Sequence, residues 1–222
     1  MKYLYTLLLA AAVTPAFAQT TPAAKSSLNY NRIGVGYSSD DSLKGYNVTG
    51  SALLGGAFII SGSYDDVKAK EATWLTGNLA GFGLAYKFNV GPGDLAIGYT
   101  YKTGSVTGAT VIAGTPPVIV AGIVSAEQKG FTLNYRQAIN SQFEFSLGYS
   151  RIETNYVWGA GATNTYSGDA ASNGGLGSST NDIFTLGARY NLTKNLDATL
   201  NYAFKSKDAG GNSLGFSVGY NF

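Results

Sequence analysis

The sequence predicts an all-β chain, a transmembrane antiparallel up-and-down β-barrel of ten strands, with eight as the alternative count. Three observations carry this. First, apolar residues alternate with small or polar ones in segment after segment, as in Leu214 to Phe222, LGFSVGYNF. A strand sends alternate side chains to opposite faces, so this pattern makes one greasy face and one small, polar face. Second, Tyr and Phe gather at the two ends of the greasy face, with Leu, Ile, Val and Ala between them. Two aromatic girdles around an apolar band suit a wall facing lipid better than the inside of a sandwich. Third, short and long connections alternate along the chain, the asymmetry expected of a membrane barrel. A soluble sandwich would leave a long apolar edge strand open to aggregation, whereas closure removes the edge. Within hydrocarbon, only helices and closed barrels satisfy every backbone polar group.

The 222 residues suit one domain. Residues 1–18 read as a secretory leader: Lys2 supplies the positive charge, Leu4 to Val13 the apolar stretch, and Ala16-Phe17-Ala18 the cleavage site. Residues 19–27 read as a short periplasmic lead-in, and 28–222 as the barrel. No later window is long and apolar enough for a membrane helix.

The strands follow in order. Strand one, about 28–37, points Ile33, Val35 and Tyr37 outward. Strand two, about 45–54, does so with Tyr46, Val48, Ala52 and Leu54, and Gly55-Gly56 reads as a two-residue hairpin turn. Strand three, about 57–66, sets Phe58, Ile60 and Tyr64 against Ser61, Ser63 and Asp65. Strand four ends near 88 with Phe82, Leu84, Tyr86 and Phe88 outward, and Asn89 to Asp94, holding Gly-Pro-Gly, reads as a turn. Strands five (about 95–103) and six (about 127–137) carry Leu95, Ile97, Tyr99 and Phe131, Leu133, Tyr135. Strands seven (about 142–152), eight (about 182–192) and nine (about 196–205) repeat the pattern, and Leu214 to Phe222 is the tenth. Even strand number puts both termini on one side, read here as the periplasm.

The closing strand, with Phe216, Val218, Tyr220 and Phe222 on its greasy face, resembles the last strand of bacterial outer-membrane barrels. That resemblance implies a signal read by the barrel-assembly machinery. The stretches YNRIGVGY, KGYNVTGSALLGGAFIISGSYD and GFSVGYNF are similar to those of small proteobacterial outer-membrane β-barrel, porin-like proteins. The resemblance implies integral location in the cell outer membrane, among its lipid and lipopolysaccharide, and says little about activity.

Composition narrows the chemistry. Enzymatic outer-membrane barrels resemble one another in using histidine as base or triad partner, and this chain has no His and no Cys. No enzyme and no cofactor are expected. Fifteen basic against thirteen acidic residues do not suit nucleic acid. Asp40-Asp41 and Asp65-Asp66 lie at the outer rim, open to acid/base or Ca²⁺ roles but expected to be solvated loop charges.

By parity, Arg32, Lys87, Arg136, Glu144, Arg189 and Asp197 all face inward near the turn ends of their strands. Such a layer is either a ring that selects ions or a set of internal pairs that fixes register, and pairing is favoured. Residues 104–126 are apolar around Thr115-Pro116-Pro117, with Val111, Ile112, Val118 and Ile119 on its flanks. They form a projecting hairpin able to bind a partner, or a loop folded over the lumen, or an extension of strands five and six. The functional expectation is a structural or surface-interaction barrel acting through its outer loops. The alternative is a narrow porin-like channel for small solutes with weak anion preference.

Overall fold

Ten strands run in chain order, each antiparallel to the next, and the first closes on the last. The computed structural model describes residues 28–71, 76–112, 118–158, 175–206 and 211–222. The strands are β1 (Arg32–Ser39), β2 (Leu43–Leu54), β3 (Phe58–Ala69), β4 (Thr76–Val90) and β5 (Gly93–Ile112). They continue as β6 (Val118–Ala138), β7 (Phe143–Trp158), β8 (Gly175–Asn191), β9 (Leu196–Lys205) and β10 (Ser213–Asn221). Closure runs without a shift from the Arg32–Asn221 pair to the Ser39–Leu214 pair. The fold is therefore an all-β, ten-stranded closed antiparallel barrel, and the eight-strand alternative falls. The leader and lead-in, 1–27, lie outside the described residues.

The period-2 pattern sets which side each residue takes. Ile33, Val48, Phe82, Phe184, Leu200, Phe216 and Phe222 are exposed on the outside, while their neighbours in sequence turn inward. Aromatic rings meet along this outer face: Phe58 with Tyr86, Tyr86 with Phe88, Tyr37 with Tyr46, and Tyr202 with Phe204. Gly50 pairs with Gly62 on the outside and leaves a notch in this surface.

Three features differ from the expectations. Strand one begins at Arg32, not 28, because Leu28 to Asn31 turn in beneath the barrel. The Gly55-Gly56 turn takes in Ala57 as well, whose N–H donates to the Leu54 carbonyl at 3.3 Å. Both glycines have positive φ, 58° and 76°, a combination that a Cβ would strain. The six-residue turn 89–94 contracts to Gly91-Pro92, so that Asn89 and Asp94 stand opposite each other in the β4–β5 ladder.

For 104–126, three readings were open. Its described residues are ladder: β5 and β6 stay paired out to Ile112–Val118. The neighbours end sooner, β4 opposite Thr107 and β7 opposite Val124. Among the described residues the β5–β6 ladder continues past both neighbours, in keeping with an extension of strands five and six. Val111 pairs with Ile119 there. Pro116 and Pro117 lie outside the described residues. At about 3.3 Å per residue, β5 is roughly 66 Å long, against an apolar belt of about 25 Å.

Candidate functional site

The inward face has three layers, and each follows from side-chain type. At the loop end it is apolar: Leu43, Val67, Leu79, Val106, Ile152, Ile183 and Ala203 are all buried. In the middle it is small and polar, with Asn47, Thr49, Thr132, Asn134 and Thr185 buried. At the turn end it is charged, and this is the candidate site.

All six residues expected in the inward charge layer are found there. Arg32 Nη2 lies 2.8 Å from Asp197 Oδ1, and Arg189 Nη2 lies 2.9 Å from Asp197 Oδ2. Glu144 pairs with Arg136 on one side and sits 3.6 Å from Arg189 Nη1 on the other. Lys87 Nζ is 3.1 Å from Asp94 Oδ2. Asp94 was expected in the turn. The shorter turn places it in the wall, where it is buried and stands opposite Arg136 in the ladder.

The order of these groups around the barrel is an alternation of sign. Arg32 is on β1, Asp197 on β9, Arg189 on β8, Glu144 on β7, Arg136 on β6, Asp94 on β5 and Lys87 on β4. β10, between β1 and β9, contributes the neutral Asn221: its Nδ2 donates to Asp197 at 2.9 Å, and its Oδ1 accepts from Arg189 at 2.6 Å. Asn191 Nδ2 donates to Glu144 at 3.2 Å. Charge-assisted bonds of this kind are the stronger class.

Glycine makes the longest reach possible. Gly219 of β10 lies between Arg32 and Asp197, opposite Asp197 in the ladder. A Cβ at Gly219 would run into the Arg32 guanidinium, so the bare backbone is what lets Arg32 cross a whole strand. The same device recurs higher in the barrel. Lys102 of β5 crosses Gly81 of β4 to reach Asp65 of β3 at 2.7 Å, and a Cβ at Gly81 would lie 2.5 Å from Lys102 Cγ.

That pair corrects an expectation. Asp65 and Asp40, expected as solvated rim charges, are only 2% and 4% exposed. Asp40 accepts from Lys205 Nζ at 2.7 Å, and through Oδ1 it also holds the Ser42 and Leu43 N–H groups. Asp41 and Asp66 do face solvent. Among the described residues no group of three or more His, Cys, Asp or Glu comes together as a metal site.

The sector of β2 and β3, where the charge layer has no member, is filled by the chain before β1. Tyr30 is 1% exposed and packs on Ile59, Ala85 and Ala96. Its hydroxyl donates to Asp94 Oδ2 at 3.3 Å, and Lys87 Nζ lies 5.9 Å above its ring. Burial and the neighbouring carboxylate push the phenol well above its ordinary pKa, so it stays a donor. Ser51 Oγ donates to the Tyr30 carbonyl at 2.9 Å, and Leu53 N–H to Asn31 Oδ1 at 2.9 Å. Nothing in the alternation pointed to this plug. The signal was Leu28 and Tyr30 at even spacing before the first strand.

The closing strand's Phe216, Val218, Tyr220 and Phe222 all face outward. Of the hairpin residues, Val111, Ile112, Val118 and Ile119 are placed as backbone in the ladder, far from the charge layer.

No family model and no curated protein matches this sequence. Solved structures do. The chain is similar to the KdgM porin at 12% identity, covering 86% of this chain and 99% of that one with a TM-score of 0.46. It is similar to an outer membrane channel from Pseudomonas putida F1 at 10% identity, covering 95% and 100%, TM-score 0.49. It is similar to the NanC porin at 12% identity, covering 86% and 98%, TM-score 0.38. The chain is thus a ten-stranded closed barrel that matches outer-membrane β-barrel porins and channels among solved structures.

Proposed function

We propose that this chain is a non-enzymatic integral outer-membrane barrel with both termini periplasmic, acting structurally or through its outer loops. The observation that carries the reading is the filling of the lumen at the turn end by paired charges and the Tyr30 plug, with buried apolar side chains lining the loop end. The outward band of Leu, Ile, Val and Phe supports burial in lipid, with lipopolysaccharide around the outer girdle. The long β5–β6 hairpin is the surface that an outer partner would meet first.

A narrow channel with weak anion preference is the second reading, favoured by the excess of basic over acidic groups in the charge layer. It requires Tyr30 and the residues before it to leave the lumen. Planar-bilayer recording on the purified barrel separates the two: the structural reading expects no steady conductance, and a persistent open level overturns it. Location is tested apart from role, since an integral barrel stays with the membrane in alkaline carbonate and shows heat-modifiable mobility on gels. Phe222→Asp should lower outer-membrane yield far more than Phe222→Tyr if the outward face of β10 is the assembly signal. Equal yields would remove that role.

A further inference from the structure

Among the described residues, the inward-facing side chains are not electrically balanced. Inward-facing Lys102 with Asp65 and Lys205 with Asp40 are matched pairs. The described side chains of the turn-end layer count four cations, Arg32, Lys87, Arg136 and Arg189, against three carboxylates, Asp94, Glu144 and Asp197, one positive charge in excess. The layer is buried, and an uncompensated charge out of water is costly.

The excess has a place. Directly above the charge layer is a cavity of about 70 Å³ lined by Arg32, Arg136 and Arg189 and by side chains of the polar middle layer, among them Asn134 and Thr185. Arg189 is 5% exposed. Its Nη2 is used by Asp197 and Asn221. Its Nε and Nη1 have no hydrogen-bond acceptor, because Glu144 at 3.6 Å from Nη1 is within ion-pair reach but beyond hydrogen-bonding distance. Two donors of a buried guanidinium are thus unsatisfied on a residue that lines the cavity. The wall is also open where glycines form it: a Cβ at Gly215 would meet nothing closer than 3.8 Å.

We propose that this cavity binds one small monovalent anion of halide size, held by the guanidinium of Arg189 and flanked by those of Arg32 and Arg136. A single negative charge cancels the excess, and the volume admits an ion with a few waters but no sugar or peptide. The anion belongs to the folded wall, so the proposal does not depend on whether the barrel conducts.

The test is the thermal unfolding midpoint of the full folded barrel in detergent, titrated with sodium chloride against sodium gluconate at equal ionic strength. Gluconate is too large for the cavity. The expected result is a saturable rise of a few degrees in chloride and none in gluconate. Asn134→Asp puts a carboxylate on the cavity wall without changing its shape, and it should abolish the chloride dependence while keeping the barrel folded. Should that variant fail to fold, Arg189→Gln removes the excess charge and should equally lose the dependence. Identical wild-type midpoints in the two salts would overturn the proposal and leave water as the occupant. A chloride rise that persists in a folded Asn134→Asp or Arg189→Gln barrel would overturn it too, placing the ion elsewhere.

Discussion

The two ends of the lumen are built by opposite means. The loop end is lined by buried apolar side chains with two ion pairs, Lys102–Asp65 and Lys205–Asp40, each of one cation and one carboxylate. The turn end is closed by a chain of charges in which Glu144, Arg189 and Asp197 each serve more than one partner. An isolated buried pair is replaceable, since hydrophobic residues of similar volume avoid its desolvation cost. A member of a chain is not, because its loss strands several neighbours at once. The turn end therefore fixes strand register by charge, and the loop end tolerates exchange.

The largest expected effect comes from reversing the chain. Arg136→Glu with Arg189→Glu surrounds Glu144 with like charges and leaves Asp197 with Arg32 as its one remaining ion-pair partner. In an open pore the same change would reverse ion preference. In a sealed layer it should prevent folding, read as loss of the heat-modifiable form. A folded double variant would show that the layer is solvated and that the contrast between the ends is false.

Next comes the contrast itself. Glu144→Gln removes the carboxylate that stands between Arg136 and Arg189 and leaves Arg189 to Asp197, at a cost of about 3–5 kcal/mol. At the other end, Lys102→Met with Asp65→Leu removes both partners together and should be neutral or stabilising. Urea unfolding in detergent micelles measures both. Equal losses in the two variants would mean that the loop-end pair is as embedded as the turn-end chain.

How much of this was legible depended on whether partners share a strand boundary. Strand number, face and girdles follow from period 2, which each residue declares locally, so Ile33, Phe216 and Leu200 were readable one at a time. Inward direction was readable for Arg136 and Asp197 by the same parity. What parity does not carry is the partner. Asp65 and Lys102 were both on polar faces, but β4 lies between their strands and only the glycine at position 81 lets them meet. Asp94 was hidden by Gly-Pro-Gly, which reads as a longer turn than Gly91-Pro92 makes. The β5–β6 extension stayed one reading among three because 109–123 lacks the small-polar alternation that marks the wall. A hairpin with no lipid on one face and lumen on the other has no reason to alternate.

The smallest expected effect concerns the one part of the turn-end closure that is not made by the wall. Tyr30 contributes twice: its ring packs on Ile59, Ala85 and Ala96, and its hydroxyl bonds Asp94. Asp94 keeps Lys87 when that hydroxyl is gone. Tyr30→Phe should thus cost only about 0.5–1.5 kcal/mol, the net worth of one hydrogen bond. Tyr30→Ala should cost about 3–5 kcal/mol, the usual range for a buried aromatic truncated to a methyl. The ratio of the two identifies what closes this sector. If Tyr30→Phe proves as damaging as Tyr30→Ala, the hydroxyl rather than the ring holds the plug, and Asp94 depends on Tyr30 more than on Lys87. If both are mild, the Tyr30 carbonyl, held by Ser51, and Asn31, held by Leu53, carry the segment. The plug would then be a backbone device that happens to carry an aromatic. Urea unfolding of both variants beside Ser51→Ala distinguishes these cases. The barrel's closure at the turn end predicts the first order of effects, with Tyr30→Ala well above Tyr30→Phe.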